Sequence, residues 1–134
     1  MTYSAVTREH FNKATGAGVL VGAGVGRGAA GSRAQGTWVQ FDVQVDDGSA
    51  GPPRIAAACF LAYGCPHTIA VADWIVGRAA ARTAVLALPE DARALQGRFD
   101  VPVEKLGRLL IVEDAWVAAV TAAVAARAGA RNAT

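Results

Sequence analysis

Residues 38–46 alternate without a break, with Val39, Phe41, Val43 and Val45 on one side and Trp38, Gln40, Asp42, Gln44 and Asp46 on the other. A period of two places all four apolar side chains on one face, so the segment reads as a half-buried strand in a sheet with one covered side. The run Asp47-Gly48-Ser49-Ala50-Gly51-Pro52-Pro53 is a dense turn signal, and residues 55–63 form a second run of strand length. Two strands joined this way make an antiparallel hairpin. Gly64-Cys65-Pro66-His67 then turns the chain into a helix. Proline is favoured at the first helical position, which puts Cys65 at the cap. Ile69, Ala72, Ile75 and Val76 supply the buried stripe, and Gly77 is expected to end it.

The flanking segments complete the outline. Ser4 is an N-cap residue for a first helix over 4–13, with Val6, His10 and Phe11 near one another at helical spacing. Residues 15–36 hold eight of the fifteen glycines and read as mobile backbone with a frayed edge strand around 19–21. Beyond the second helix come a short segment at 83–88, an acidic turn at Pro89-Glu90-Asp91 and a linker ending at Pro102. The final helix is expected over 104–127, with Leu106, Leu110, Val117, Val120 and Val124 as its core stripe, followed by a disordered tail over 128–134. The expected fold is one α+β domain over 1–134: a small antiparallel sheet of about three strands, helices packed on one face, and a long C-terminal helix.

Composition excludes several classes. A chain that is 53% hydrophobic with a formal charge of only +2 buries enough surface to offset its ordering entropy, so it is not disordered. Two cysteines exclude a disulfide-stapled scaffold and an all-cysteine metal site built from one chain. The arginines are scattered from Arg8 to Arg131 without forming a stripe, so neither nucleic acid nor a membrane surface is an expected partner. The longest apolar stretch, 115–126, is interrupted by Thr121 and is short for a bilayer span. The N-terminus lacks a basic region followed by an apolar run, so the default expectation is a cytoplasmic, reducing setting with free thiols.

Few residues remain to carry chemistry. Gly26-Arg27-Gly28-Ala29-Ala30-Gly31 satisfies G-x-G-x-x-G, yet an antiparallel-type strand comes next where a dinucleotide site needs a helix. It reads as a flexible loop, and a nucleotide-binding enzyme would rest on that loop alone. Cys65 is more informative, because a thiol at a helix N-terminus is favoured as thiolate by the dipole and by unpaired amides. That suits a metal ligand or a sulfur nucleophile, with His67 as an accessory group; a small buried packing residue is the plainer alternative. Cys59 lies inside a strand, too far along an extended backbone to share a disulfide or metal with Cys65, and reads as packing. His10, beside Phe11, reads as a structural histidine.

Tyr3-Ser4 with Glu9-His10-Phe11-Asn12, the strand ending in Val45-Asp46-Asp47-Gly48, Tyr63-Gly64-Cys65 before a helix, and Glu113-Asp114-Ala115 in the last helix together resemble the iron–sulfur cluster assembly scaffold family. This is the NifU N-terminal or IscU-type domain, and the resemblance runs over 3–127 in the family's order. It implies a nascent cluster or a single iron or zinc ion held by three cysteines, an aspartate and a histidine. It also implies a cysteine desulfurase and other iron–sulfur biogenesis proteins as partners.

Carried over residue by residue, the middle cysteine falls on Cys65. The family's Cys-Gly-Asp reads Gln35-Gly36-Thr37 here, and its His-Cys pair, counted back from Glu113, falls on Gly107-Arg108. A chaperone-recognition stretch before that pair becomes Val101-Pro102-Val103-Glu104-Lys105. The corresponding site would thus be lined by Gln35, Thr37, Gly107 and Arg108 around one thiol. The primary expectation is a degenerate scaffold paralogue, not an enzyme in its own right, which binds partners or handles sulfur or iron through Cys65 and does not hold a cluster alone as a monomer. The competing expectation is a repurposed fold that binds an anionic small molecule or a protein partner near Arg108 and Cys65, with no metal. A homo-oligomer that brings Cys65 of two or more chains into one site is also compatible with the sequence.

Overall fold

The computed structural model describes residues 3–22, 24–46, 53–79 and 91–132. Its elements, in order, are α1 (Ala5–Asn12), β1 (Val25–Ser32), β2 (Thr37–Val45), β3 (Ile55–Tyr63), α2 (Pro66–Ala79), α3 (Ala92–Phe99), a 3-10 turn (Val103–Lys105) and α4 (Leu106–Asn132). The strands form one antiparallel sheet in the order β1-β2-β3, with Phe41 paired to both Gly28 and Phe60. The α+β arrangement with a long last helix is therefore the one its patterning predicts. The turn expected at 47–52 and the segment 83–90 lie outside the described residues.

The alternation in β2 does what its period requires. Val39, Phe41 and Val43 are fully buried and Val45 nearly so. They face α4, whose Trp116 ring meets the Phe41 ring edge-on at 5.2 Å. Burying side chains of this size contributes about 1.5–3 kcal/mol each. α4 covers β1 and β2, α2 covers β3, and α1 lies on α2. Ser4 caps α1 by accepting from the Thr7 amide at 3.1 Å, and Thr7 Oγ1 donates to the Phe99 carbonyl at 3.0 Å, which ties α1 to the end of α3. The guanidinium groups of Arg78 and Arg98 each stack on the ring of Trp74 in α2, at 5.4 and 4.9 Å from its centroid.

Several segments differ from the sequence expectation. The glycine-rich stretch is not a flexible loop throughout: Gly26, Gly28 and Gly31 belong to β1. A Cβ on Gly26 or Gly28 would overlap the backbone of Ala123 or Ala119, so these glycines let α4 lie directly against the strand. Residues 19–21 are not an edge strand. The chain instead touches the free edge of β3 around Ala17, with the Gly18 amide on the Phe60 carbonyl at 2.8 Å, and then crosses the outer face of the sheet. Gly77 does not end α2, which continues to the buried Ala79.

Residues 92–99 form a helix where the sequence reads as a linker, capped by the Asp91 side chain on the Ala94 amide at 2.8 Å. The buried stripe of α4 is Leu109, Val112, Ala115, Trp116, Ala119, Val120 and Ala123, while Leu110 is 48% exposed. Leu110 is out of phase with this stripe, in which Ala115, Ala119 and Ala123 take positions that larger residues were expected to fill. The helix extends to Asn132, beyond the expected end at 127 and into the segment expected to be a disordered tail. Its stretch Val103–Arg127 is long and apolar enough to cross a bilayer by length and composition, more than the 115–126 run suggests. Much of that apolar surface faces the sheet.

Candidate functional site

Cys65 sits at the turn from β3 into α2. Its carbonyl accepts the Thr68 and Ile69 amides at 3.0 and 3.3 Å, which makes it the capping residue, and Pro66 opens the helix. Gly64 precedes it with φ of 156°, a conformation that few side chains tolerate. The thiol is half-buried, and burial alone pushes its pKa up. Hydrogen bonds from the Thr68 amide and hydroxyl, the Arg108 side chain and the His67 amide outweigh that effect. The net result is a thiol held below its ordinary pKa, so thiolate is favoured. Thr68 Oγ1 lies 3.7 Å from Cys65 Sγ. The sequence reading missed this residue, although position i+3 from a helix cap is a place where a hydroxyl can reach the cap.

Arg108 approaches Cys65 from the second residue after the start of α4. Thr37 begins β2 on the sheet face that carries α4, and its hydroxyl is buried without a hydrogen-bond partner. Ile111, one helical turn after Arg108, approaches the same corner, since a Cβ on Gly31 would meet both the Thr37 carbonyl and Ile111. The neighbouring Gly36 carbonyl lies 3.5 Å from where a Cβ on Gly64 would stand. The β1–β2 turn, the Cys65 turn and the first turn of α4 thus converge.

The other replaced positions do not reach inward. Gln35 is exposed and engages Ser32 within its own turn, with its amide on Ser32 Oγ at 3.1 Å. Gly107 is exposed, with nothing within 4 Å of a built Cβ.

His67 is 4% exposed and its ring meets Tyr3 at 4.8 Å. Burial lowers its pKa, the charges of Lys105 and Arg108 lower it further, and Asp100 opposes them. It is therefore a neutral imidazole, and its Nδ1 is buried without a partner. His10 lies elsewhere, with Nδ1 2.7 Å from Asp73 Oδ2, in the structural role expected for it.

Cys59 faces Asp42 across β2 and β3, and burial with that carboxylate raises its pKa. Burial also pushes Asp42 up, but hydrogen bonds from Arg27 and the Leu20 amide prevail and hold it below the usual carboxylate range. Arg27 binds it through Nε at 2.8 Å and Nη2 at 3.0 Å, which fastens the crossing segment over the sheet.

A cluster or a thiophilic ion needs about three or four donors of the thiolate, imidazole or carboxylate type. Around Cys65 stand a threonine, a fixed guanidinium and a glycine, and this set does not fit. Among the described residues no three of His, Cys, Asp and Glu lie together as a metal site requires.

The fold and site define a class: a three-stranded sheet covered on one side by helices, with a cysteine at the turn into the second helix and the long last helix closing over it. The chain belongs to the NifU-like N terminal domain family, whose model matches residues 2–128, and it thereby joins a family of iron–sulfur cluster assembly scaffolds whose partners are iron–sulfur biogenesis proteins. No curated protein matches the chain.

Proposed function

We infer that this protein acts in iron–sulfur assembly as a one-thiol sulfur acceptor, a degenerate scaffold paralogue whose single chain does not hold a cluster. The observation that carries the reading is the environment of Cys65. Thr68, Arg108 and the start of α2 stabilise its thiolate, while the positions that would supply further ligands carry Gln35, Thr37, Gly107 and Arg108. A guanidinium beside a thiolate opposes a cation and favours an anionic sulfur.

The step is a transfer between thiols. The Cys65 thiolate attacks the terminal sulfur of a donor persulfide, a new sulfur–sulfur bond forms at Sγ, and the donor's bond breaks with its electron pair leaving on the donor thiolate. No external oxidant or reductant is needed. The donor this chemistry fits is a cysteine desulfurase, and the setting is a reducing, cytoplasmic one in which Cys65 stays free. The protein turns nothing over and is no enzyme in its own right.

Incubating the chain carrying Cys59→Ser with a cysteine desulfurase and cysteine, then weighing the intact protein, tests this. One added sulfur atom that disappears in Cys65→Ser is the expected result. An unmodified Cys65 overturns the reading.

A further inference from the structure

The surroundings of Cys65 hold more polar capacity than a thiolate uses. Arg108 carries five N–H donors in a planar fork, a geometry suited to two oxygens of one anion, and a hydrogen bond to Sγ engages only part of it. Thr37 Oγ1, on a residue 1% exposed, has no partner. A buried hydroxyl left unsatisfied is costly, and native structures retain few such groups without a ligand or water to meet them. Its residue follows Gly36, whose carbonyl approaches Gly64 next to Cys65, and the Thr37 backbone shares a corner with Ile111, one turn after Arg108. A second unpartnered buried atom, His67 Nδ1, is two residues beyond Cys65, in the field of Arg108 and Lys105. Donors, positive charge and a nucleophilic sulfur thus meet in one place.

We propose that the site takes sulfur directly from a small oxyanion bearing a sulfane sulfur, of which thiosulfate is the simplest, with Arg108 and the Thr37 hydroxyl binding the oxyanion head beside Cys65. The proposal rests on the reading of Cys65 as a sulfur acceptor and adds a donor class. The thiolate attacks the outer sulfur of thiosulfate, a bond forms between Sγ and that sulfur, and the bond to the central sulfur breaks. The electron pair leaves with sulfite, so the products are a Cys65 persulfide and sulfite with charge and electrons conserved. Arg108 and Thr37 bear on the leaving group, whose charge grows as the bond breaks. A phosphate ester would find the same head recognition but carries no sulfane sulfur for Cys65 to take.

The test uses the full chain with Cys59→Ser and thiosulfate labelled in its outer sulfur, following label on the protein and sulfite in solution. A parallel arm supplies a cysteine desulfurase and cysteine in place of thiosulfate. Saturable labelling of Cys65 with one sulfite released per label is expected, inhibited by sulfite or sulfate. Arg108→Ala is expected to raise the half-saturating thiosulfate concentration about tenfold or more, with Arg108→Lys recovering part of it. Thr37→Val, which preserves shape and so retains the fold, is expected to raise it less.

Loading by the desulfurase but not by thiosulfate overturns this proposal and leaves the sulfur-acceptor reading standing; loading by neither overturns both. Thiosulfate labelling that is linear in concentration, or unchanged in folded Arg108→Lys and Thr37→Val, also overturns it, since an accessible thiol alone would then account for the transfer.

Discussion

Gly28 of β1 and Ala119 of α4 meet backbone to backbone: a Cβ added to Gly28 would overlap the Ala119 amide nitrogen and crowd Ala118. The long helix therefore lies on the strand at a distance only glycine allows. Gly28→Ala must displace α4, and overpacking of this kind costs about 1–3 kcal/mol. A fall in the thermal midpoint of Gly28→Ala is expected. Gly97, exposed in α3 with nothing near a built Cβ, is the control, and Gly97→Ala should raise stability by about 0.5–1 kcal/mol. Equal effects at the two positions would contradict the packing account.

That same contact explains what the sequence showed and what it hid. Strand β2 was legible because Val39, Phe41, Val43 and Val45 carry a period of two, and the start of α2 because Pro66 suits a first helical position. Strand β1 was hidden because Gly26 and Gly28 mean flexibility locally and close approach only once Ala119 and Ala123 are known to lie above them. The phase of α4 was hidden for the same reason: Ala115, Ala119 and Ala123 take part in its contact face, and the larger Leu110 is exposed. Helix α3 had a readable cap in Asp91, lost among turn-forming neighbours. At the site, Cys65 and Arg108 could be placed from the resemblance. The Thr68 hydroxyl on Sγ and the unpartnered Thr37 hydroxyl depend on tertiary placement.

Thr37 gives a second prediction. An unsatisfied buried hydroxyl costs about 1–3 kcal/mol, and valine fills nearly the same volume without it. Thr37→Val should therefore be more stable to urea than the parent by about 1 kcal/mol in the absence of ligand. A less stable variant would mean that the hydroxyl is satisfied.

Cys65 should show its environment in kinetics. Its pKa is held below the ordinary value, so its alkylation rate should reach half its plateau at lower pH than that of an unperturbed thiol. Arg108→Ala removes one of the hydrogen bonds responsible and should shift the midpoint upward. Cys59, raised by burial and by Asp42, should react only at higher pH. A Cys65 midpoint unmoved by Arg108→Ala would show that the guanidinium does not stabilise the thiolate.

Stability should fall with acid in two steps that begin at different pH. His67 has a native pKa below its unfolded value of about 6.5, so as pH drops the unfolded chain takes up the proton first and stability declines until native His67 is also protonated. Asp42 has a native pKa below its unfolded value of about 4, so its contribution is complete above that value and is lost as pH falls through the native pKa. Thermal midpoints measured across this range should show both steps, and His67→Phe should remove only the first. A single decline confined to the lower window would contradict the burial of a neutral His67.

The central claim is that this scaffold-family chain retains a sulfur-accepting thiol without the ligands to hold a cluster. Anaerobic reconstitution with iron, cysteine and a cysteine desulfurase tests it, reading visible absorption, iron per chain and oligomeric mass on one sample, with sulfur on Cys65 measured alongside. The account predicts a persulfide on Cys65, no sulfur-to-iron charge-transfer bands and no stoichiometric iron on the monomer. A monomer that develops those bands and binds iron stoichiometrically would contradict it.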